Sequence, residues 1–252
     1  MNEDAIELSV GALASVAERE GLGSLHLTLQ PEPMWLPRED LAAARAAVDG
    51  ELAAAGLLDG RGRLDPDFRD WLPVLTTAAI EYYGWVTHEG TPFSVLAASR
   101  GLLGVVAVRR GDRITLAPAD HTVLPAELAA RLPEVGPGGG TRWAVRVSDF
   151  EEGKQHTHRD RSVAAIVAEI SKVVERETTG GGELYVAERD PAGRRRSLRR
   201  PLHYVDTDWG RYVNYRVSVG DEDEFRVQPA DAATVAATLE SLRGQLTTAQ
   251  RV

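Results

Sequence analysis

Two segments of this chain follow one plan, and that restricts the folds open to it. Residues 99–120 read SRGLLGVVAVRRGDRITLAPAD and residues 208–231 read DWGRYVNYRVSVGDEDEFRVQPAD. Each runs from a glycine through an apolar strand to Gly-Asp, then a short alternating strand, Pro-Ala-Asp and a helical stretch. The Pro-Ala-Asp triplets lie 111 residues apart (229−118) and the Gly-Asp pairs 109 apart (220−111). That difference of two assigns Glu222 and Asp223 as extra residues in the second turn. Short apolar runs separated by turn residues favour antiparallel hairpins, because parallel neighbours need a crossover of about a dozen residues or more. The expected fold is one α+β domain over 1–252. It is built from pseudo-symmetric halves, 1–135 and 141–252, that share an antiparallel sheet and are joined by a Gly-rich linker at 136–140.

Local signals fill in the elements. Ile6–Leu8 reads as a short strand, and Ser9 as the cap of a helix carrying Val10, Leu13, Val16 and Ala17 on one face until Gly21 ends it. An irregular arm at 22–36 leads to a helix expected from Pro37, with Ala44, Val48, Leu52 and Ala55 as its buried stripe. Asp65-Pro66 starts another helix, with Phe68, Trp71, Leu72 and Leu75 facing inward. Strands are expected at 81–89, 92–99, 102–110 and 113–117, then a helix near 125–132, which Pro125 obliges to start late. The second half offers a strand at 141–150, a helix at 162–177, strands at 183–189, about 202–206, 211–219 and 224–228, and a closing helix at 231–246. The 162–177 helix groups Val163, Ile166, Val167, Ile170, Val173 and Val174. Asp231, like Asp120, reads as a helix cap rather than a catalytic acid.

Composition narrows the function classes. There are no cysteines, which removes disulfides, thiolate zinc sites and cysteine nucleophiles together and agrees with a reducing compartment. No apolar run approaches the ~20 residues that span a bilayer, and the acidic MNEDAIELSV lacks a signal-peptide pattern, so a cytoplasmic location without membrane insertion is expected. The net charge of −9 argues against nucleic-acid binding. Neither the Gly-rich 136–140 stretch nor 180–182 ends in the GK[ST] of a phosphate loop, and no GxSxG, HExxH or GxGxxG is present.

Two clusters carry alternatives. His156 and His158, two residues apart, have the spacing to hold a metal from a strand, with Asp149, Glu151, Glu152 and Asp160 nearby; a metal-dependent hydrolase is the corresponding reading, and a solvated loop the favoured one. Arg194, Arg195, Arg196, Arg199 and Arg200 follow the turn sequence Asp190-Pro191-Ala192-Gly193. They suit a hairpin that docks an acidic partner or nucleic acid. They equally suit a solvated hairpin that deters edge pairing. No interleaved aromatics accompany them, which weighs against single-stranded RNA.

Asp206-Thr207-Asp208-Trp209-Gly210-Arg211-Tyr212, followed by Gln228-Pro229-Ala230-Asp231 and an Ala/Leu-rich helix, resembles the C-terminal signature of the EspG family, cytosolic chaperones of type VII (ESX) secretion in actinobacteria. LSVGALASVAEREGLGSL and ELAAAGLLDGRGRLDPDF (51–68) agree with its N-terminal part. The resemblance implies a quasi-twofold fold with helices flanking a central antiparallel sheet. It implies a cofactor-free binding protein, not an enzyme, that masks the apolar tip of a PE–PPE-like helical heterodimer before export. Family contacts come from the sheet, the loop joining its second and third strands, and the C-terminal helices. Here that loop is Thr87, His88, Glu89, Gly90, Thr91 and Pro92. Gly210, Arg211 and Pro229 read as structural members of the motif. A homodimer of the free chain stays open.

Overall fold

The computed structural model describes residues 5–32, 37, 39–154, 160–220 and 222–248. Strand β1 (Ile6–Ser9) leads into α1 (Val10–Arg19), α2 (Leu41–Ala54) and α3 (Pro66–Thr77). A four-strand meander follows: β2 (Ile80–His88), β3 (Thr91–Arg100), β4 (Leu103–Arg110) and β5 (Arg113–Ala119), closed by α4 (Leu124–Ala129). The second run comprises β6 (Trp143–Arg146), α5 (Val147–Lys154), α6 (Arg161–Val174), β7 (Thr178–Arg189), β8 (Arg195–Ser197), β9 (Leu202–Thr207), β10 (Gly210–Val219), β11 (Glu222–Pro229) and α7 (Ala232–Thr248). All eleven strands join one sheet in the order β1-β5-β4-β3-β2-β7-β9-β10-β11-β6, with β8 pairing the end of β7. The paired strands run antiparallel. The meanders meet along β2–β7, where Ile80 opposes Glu188 and His88 opposes Gly180.

Alternation along the strands sends side chains to two cores. On one face α4 and α7 bring Leu124, Leu128, Val235, Leu239 and Leu242 onto Tyr82, Val86, Val106, Leu184, Val186 and Val213. On the other, α1, α2 and α3 cover the first meander, packing Leu13, Leu52, Phe68, Leu72 and Leu75 on Tyr83, Leu96, Val105, Ile114 and Leu116. That same face is covered farther along by α5 and α6, where Val145, Ile170 and Val227 form a small core with Phe150 and Phe225 against it. Among the described residues, the middle of the sheet between these two helical groups is left open.

The caps behave as their chemistry requires: Ser9 accepts from Ala12 N at 3.1 Å, Asp65 from Phe68 N at 3.0 Å and Asp231 from Thr234 N at 2.7 Å. Asp120 instead closes a turn on Thr122 N at 2.8 Å, and α4 begins beyond it, at Leu124. Other expectations are corrected. The second helix starts at Leu41, not Pro37, and of its expected stripe Leu52 is buried, Ala44 and Val48 half-buried and Ala55 exposed. The 141–150 strand lasts four residues before turning into α5. Val174 is 75% exposed. Glu222 and Asp223 do not enlarge a turn: both lie in β11, paired with Val219 and Ser218, as Arg113 pairs with Arg110 in the first hairpin. Instead the hairpin itself is longer, with Tyr212–Val219 laid against Glu222–Pro229 where β4 and β5 pair Gly104–Arg110 against Arg113–Ala119. Residues 136–139 are laced along the start of β10: Arg211 N donates to Gly136 O, Gly138 N to Arg211 O, and Tyr212 Oη to Gly139 O.

Candidate interaction groove

The open middle of the sheet is a groove of about 850 Å³. Its floor is β2, β7 and β9, and one wall is the arm at Leu27 and Thr28. The arm is fixed by Ser94 Oγ, which donates to Thr28 O at 2.7 Å, and by Arg109, which donates to Gln30 O. The floor is low because β7 enters it as Gly180-Gly181-Gly182. A Cβ at these positions would fall 2.7–2.8 Å from the carbonyl oxygens of Thr87, Tyr204 and Trp85. The stretch is thus strand with side chains excluded, and β7 begins five residues before the expected Glu183. A second cavity of about 350 Å³, lined by Ile170, Val173, Phe225 and Val227, shares Thr178 and Val205 with the groove, which therefore continues beneath α6.

Within the groove Trp85 is 44% exposed. It stands edge-on to Tyr83 (5.9 Å) and Tyr185 (5.7 Å), while those two rings stack at 5.4 Å. Glu183 is Trp85's direct cross-strand neighbour. Its Oε2 accepts from Tyr185 Oη at 2.7 Å, and its Oε1 lies 3.7 Å from His203 Nδ1, beyond hydrogen-bond reach. Burial, then the hydrogen bond to Glu183, pushes the Tyr185 hydroxyl up to about 12, so it stays a donor.

The two regions expected to meet a partner fall at opposite ends of β2. Thr87 and His88 end β2, and Glu89 (φ 48°) with Gly90 (φ 77°) makes the two-residue turn into β3. Both central residues have positive φ, as a type I′ hairpin requires. Thr87, Gly90 and Pro92 line the groove; His88 turns to the other face, beside Arg110, Arg131 and Glu134. The arginine hairpin flanks Glu81, seven residues back along β2, roughly 23 Å at 3.3 Å per residue. Its charges have internal partners. Arg195 Nε donates to the buried Glu81 at 2.7 Å, Arg194 Nε to Asp190 at 2.9 Å, and Arg200 to Asp223; Arg196 lies 3.9 Å from Asp190. Arg199 is exposed. Glu81 also has Arg189 at 3.7 Å and His26 at 3.4 Å. Burial alone would push its carboxyl up, but His26 and Arg195 outweigh that and hold it below its ordinary value. His156 and His158 lie outside the described residues. Among the described residues no group of three His, Asp or Glu is placed to hold a metal, and no helix is long and apolar enough to cross a membrane.

The motif 206–212 is a buried clasp. Asp206 and Arg211 oppose each other across the turn into β10, 0% and 1% exposed, with Nε–Oδ1 at 2.6 Å and Nη2–Oδ2 at 2.9 Å. The same Nη2 donates to Pro133 O at 2.8 Å, and the guanidinium covers the Tyr204 ring. Gly210 has φ +113° and sits where a Cβ would come 2.8 Å from Gly136 O and Pro137 O. The ion pair escaped the sequence reading, although placing the turn at Asp208-Trp209 puts Asp206 opposite Arg211.

Comparison with known proteins agrees with this fold. No curated protein matches the chain. Among solved structures it is similar to the Mycobacterium tuberculosis type VII secretion system chaperone EspG5, determined in complex with a PE25–PPE41 dimer. That match has a TM-score of 0.68 at 14% identity and covers 94% of each chain. The model of the EspG family matches residues 9–241, nearly the whole length from the first helix cap to the closing helix, and the chain belongs to the EspG family.

Proposed function

We propose that the chain is a cytoplasmic chaperone of type VII secretion that binds a PE–PPE-like helical heterodimer and keeps it soluble until export, acting by binding rather than catalysis and without a cofactor. The observation that carries this is EspG membership over 9–241, in a fold whose similar solved structure holds a PE25–PPE41 dimer. The groove supplies a physical means. It is preformed and partly apolar, and it carries an exposed Trp85 over a floor kept low by glycines, which suits the covering of an apolar helix tip. Thr87, Gly90 and Pro92 at its end are the part of the expected contact loop in position to take part. The pseudo-symmetric halves meeting at β2–β7 belong to the same proposal, as does the absence of nucleic acid among its partners.

The test is co-expression with PE–PPE pairs from the same organism, followed by size-exclusion chromatography. Co-elution with a pair that is insoluble alone supports the reading. Failure with every pair sinks it. A run of the free chain shows whether it dimerises.

A further inference from the structure

Among the described residues the groove has one carboxylate in its lining, and it is held ready. Glu183 sits beside the exposed indole of Trp85 across the β2–β7 ladder. Tyr185 Oη occupies one of its oxygens at 2.7 Å, and the stacked and edge-on rings of Tyr83 and Trp85 fix Tyr185 in turn. The second oxygen has His203 at 3.7 Å, too far to satisfy it. The arginine of the lining is already engaged, since Arg109 donates to Gly111 O and Gln30 O. An aromatic face and an adjacent carboxylate with an open acceptor complement a cationic side chain on both counts: the ring attracts the charge through its quadrupole and the carboxylate pairs with it.

We infer that Trp85 and Glu183 form a clamp for a basic side chain of the partner, with Tyr185 as the residue that positions the carboxylate. This rests on the chaperone reading and deepens it: the groove selects partners whose apolar tip carries an arginine or lysine. Arginine fits better, because its planar guanidinium can lie on the indole while one edge donates to Glu183.

The test uses the full chain and a PE–PPE pair that co-elutes with it, with affinity measured by titration calorimetry. Glu183→Gln preserves the shape and the acceptor for Tyr185, so the fold is retained. It is expected to weaken binding roughly tenfold and to flatten the salt dependence of affinity, as loss of an ion pair in a partly covered site does. Trp85→Leu should weaken binding similarly, and Tyr185→Phe less. Replacing the basic residues at the partner's tip one by one with methionine should find one whose loss is felt by the wild-type chain and not by Glu183→Gln. A wild-type complex that Glu183→Gln forms equally well, or losses that add with every basic residue, overturn the clamp alone. If the wild-type chain binds no pair, the chaperone reading falls and takes the clamp with it.

Discussion

Replacing Arg211 with methionine should bring the protein close to unfolding. The guanidinium is 1% exposed and makes three hydrogen bonds, two to Asp206 and one to Pro133 O. Methionine fills much of the volume and restores none of them. Removing one member of a buried pair costs about 3–5 kcal/mol, because the remaining charge is stranded. The orphaned Pro133 carbonyl adds roughly 1–3 kcal/mol. An expected loss of about 5 kcal/mol is a large share of the 5–15 kcal/mol that holds a typical domain together. The control is Asp206→Leu with Arg211→Met. If the penalty comes from the stranded carboxylate, the double variant should recover most of it, since apolar replacements of buried pairs are often near neutral. Urea unfolding followed by tryptophan fluorescence gives the values. Arg211→Met within 1 kcal/mol of the wild type, or a double variant no better than the single, would refute the reasoning.

Three further outcomes are expected. Gly210→Ala must place a Cβ against Gly136 O and Pro137 O at a φ of +113°. It should cost roughly 1–3 kcal/mol, and an unchanged urea midpoint would show that the 136–139 seam yields easily. Glu81 has its folded pKa held below the ordinary value. It therefore contributes stability above its unfolded pKa that is lost as pH falls through the folded one. Glu81→Gln should flatten the acid limb of a stability–pH profile, and a parallel profile would contradict the assignment. Ser9→Ala removes the acceptor of Ala12 N and a donor to Glu51. It should lower stability by about 1 kcal/mol, read as a shift in urea midpoint at constant slope.

Much of the fold is legible because local chemistry and tertiary packing agree. Ser9, Asp65 and Asp231 cap the helices they precede, and the short strands between turns pair as neighbours. The misreadings fall where that agreement lapses. The α2 stripe looked periodic, but a helix so rich in alanine carries no strong marker of its inward side, and Leu52 alone is buried. Val174 lies on the apolar side of α6 in sequence yet at its last turn, over the groove's extension rather than the small core. Glycines 180–182 fall outside the strand expected from Glu183 because strand propensity favours side chains, whereas here crowding by three neighbouring carbonyls excludes them. The groove itself was not legible. It is the space two helical groups fail to cover, and no residue announces it. Glu183 and Trp85, 98 positions apart, become neighbours only through the β2–β7 register.

The sheet's two outer margins bear on self-association. Strand β1 covers β5 as far as Leu116, and β6 covers β11 as far as Val227. Two residues past each cover stands a proline, Pro118 and Pro229, at positions whose nitrogen would otherwise point outward and donate. The covering strands are only four residues long. A wide sheet ordinarily invites another chain to add a strand at its rim; this one closes both rims with a short strand and a missing donor. The short strand at each margin and the proline beside it leave little of either rim for another copy of the chain to extend.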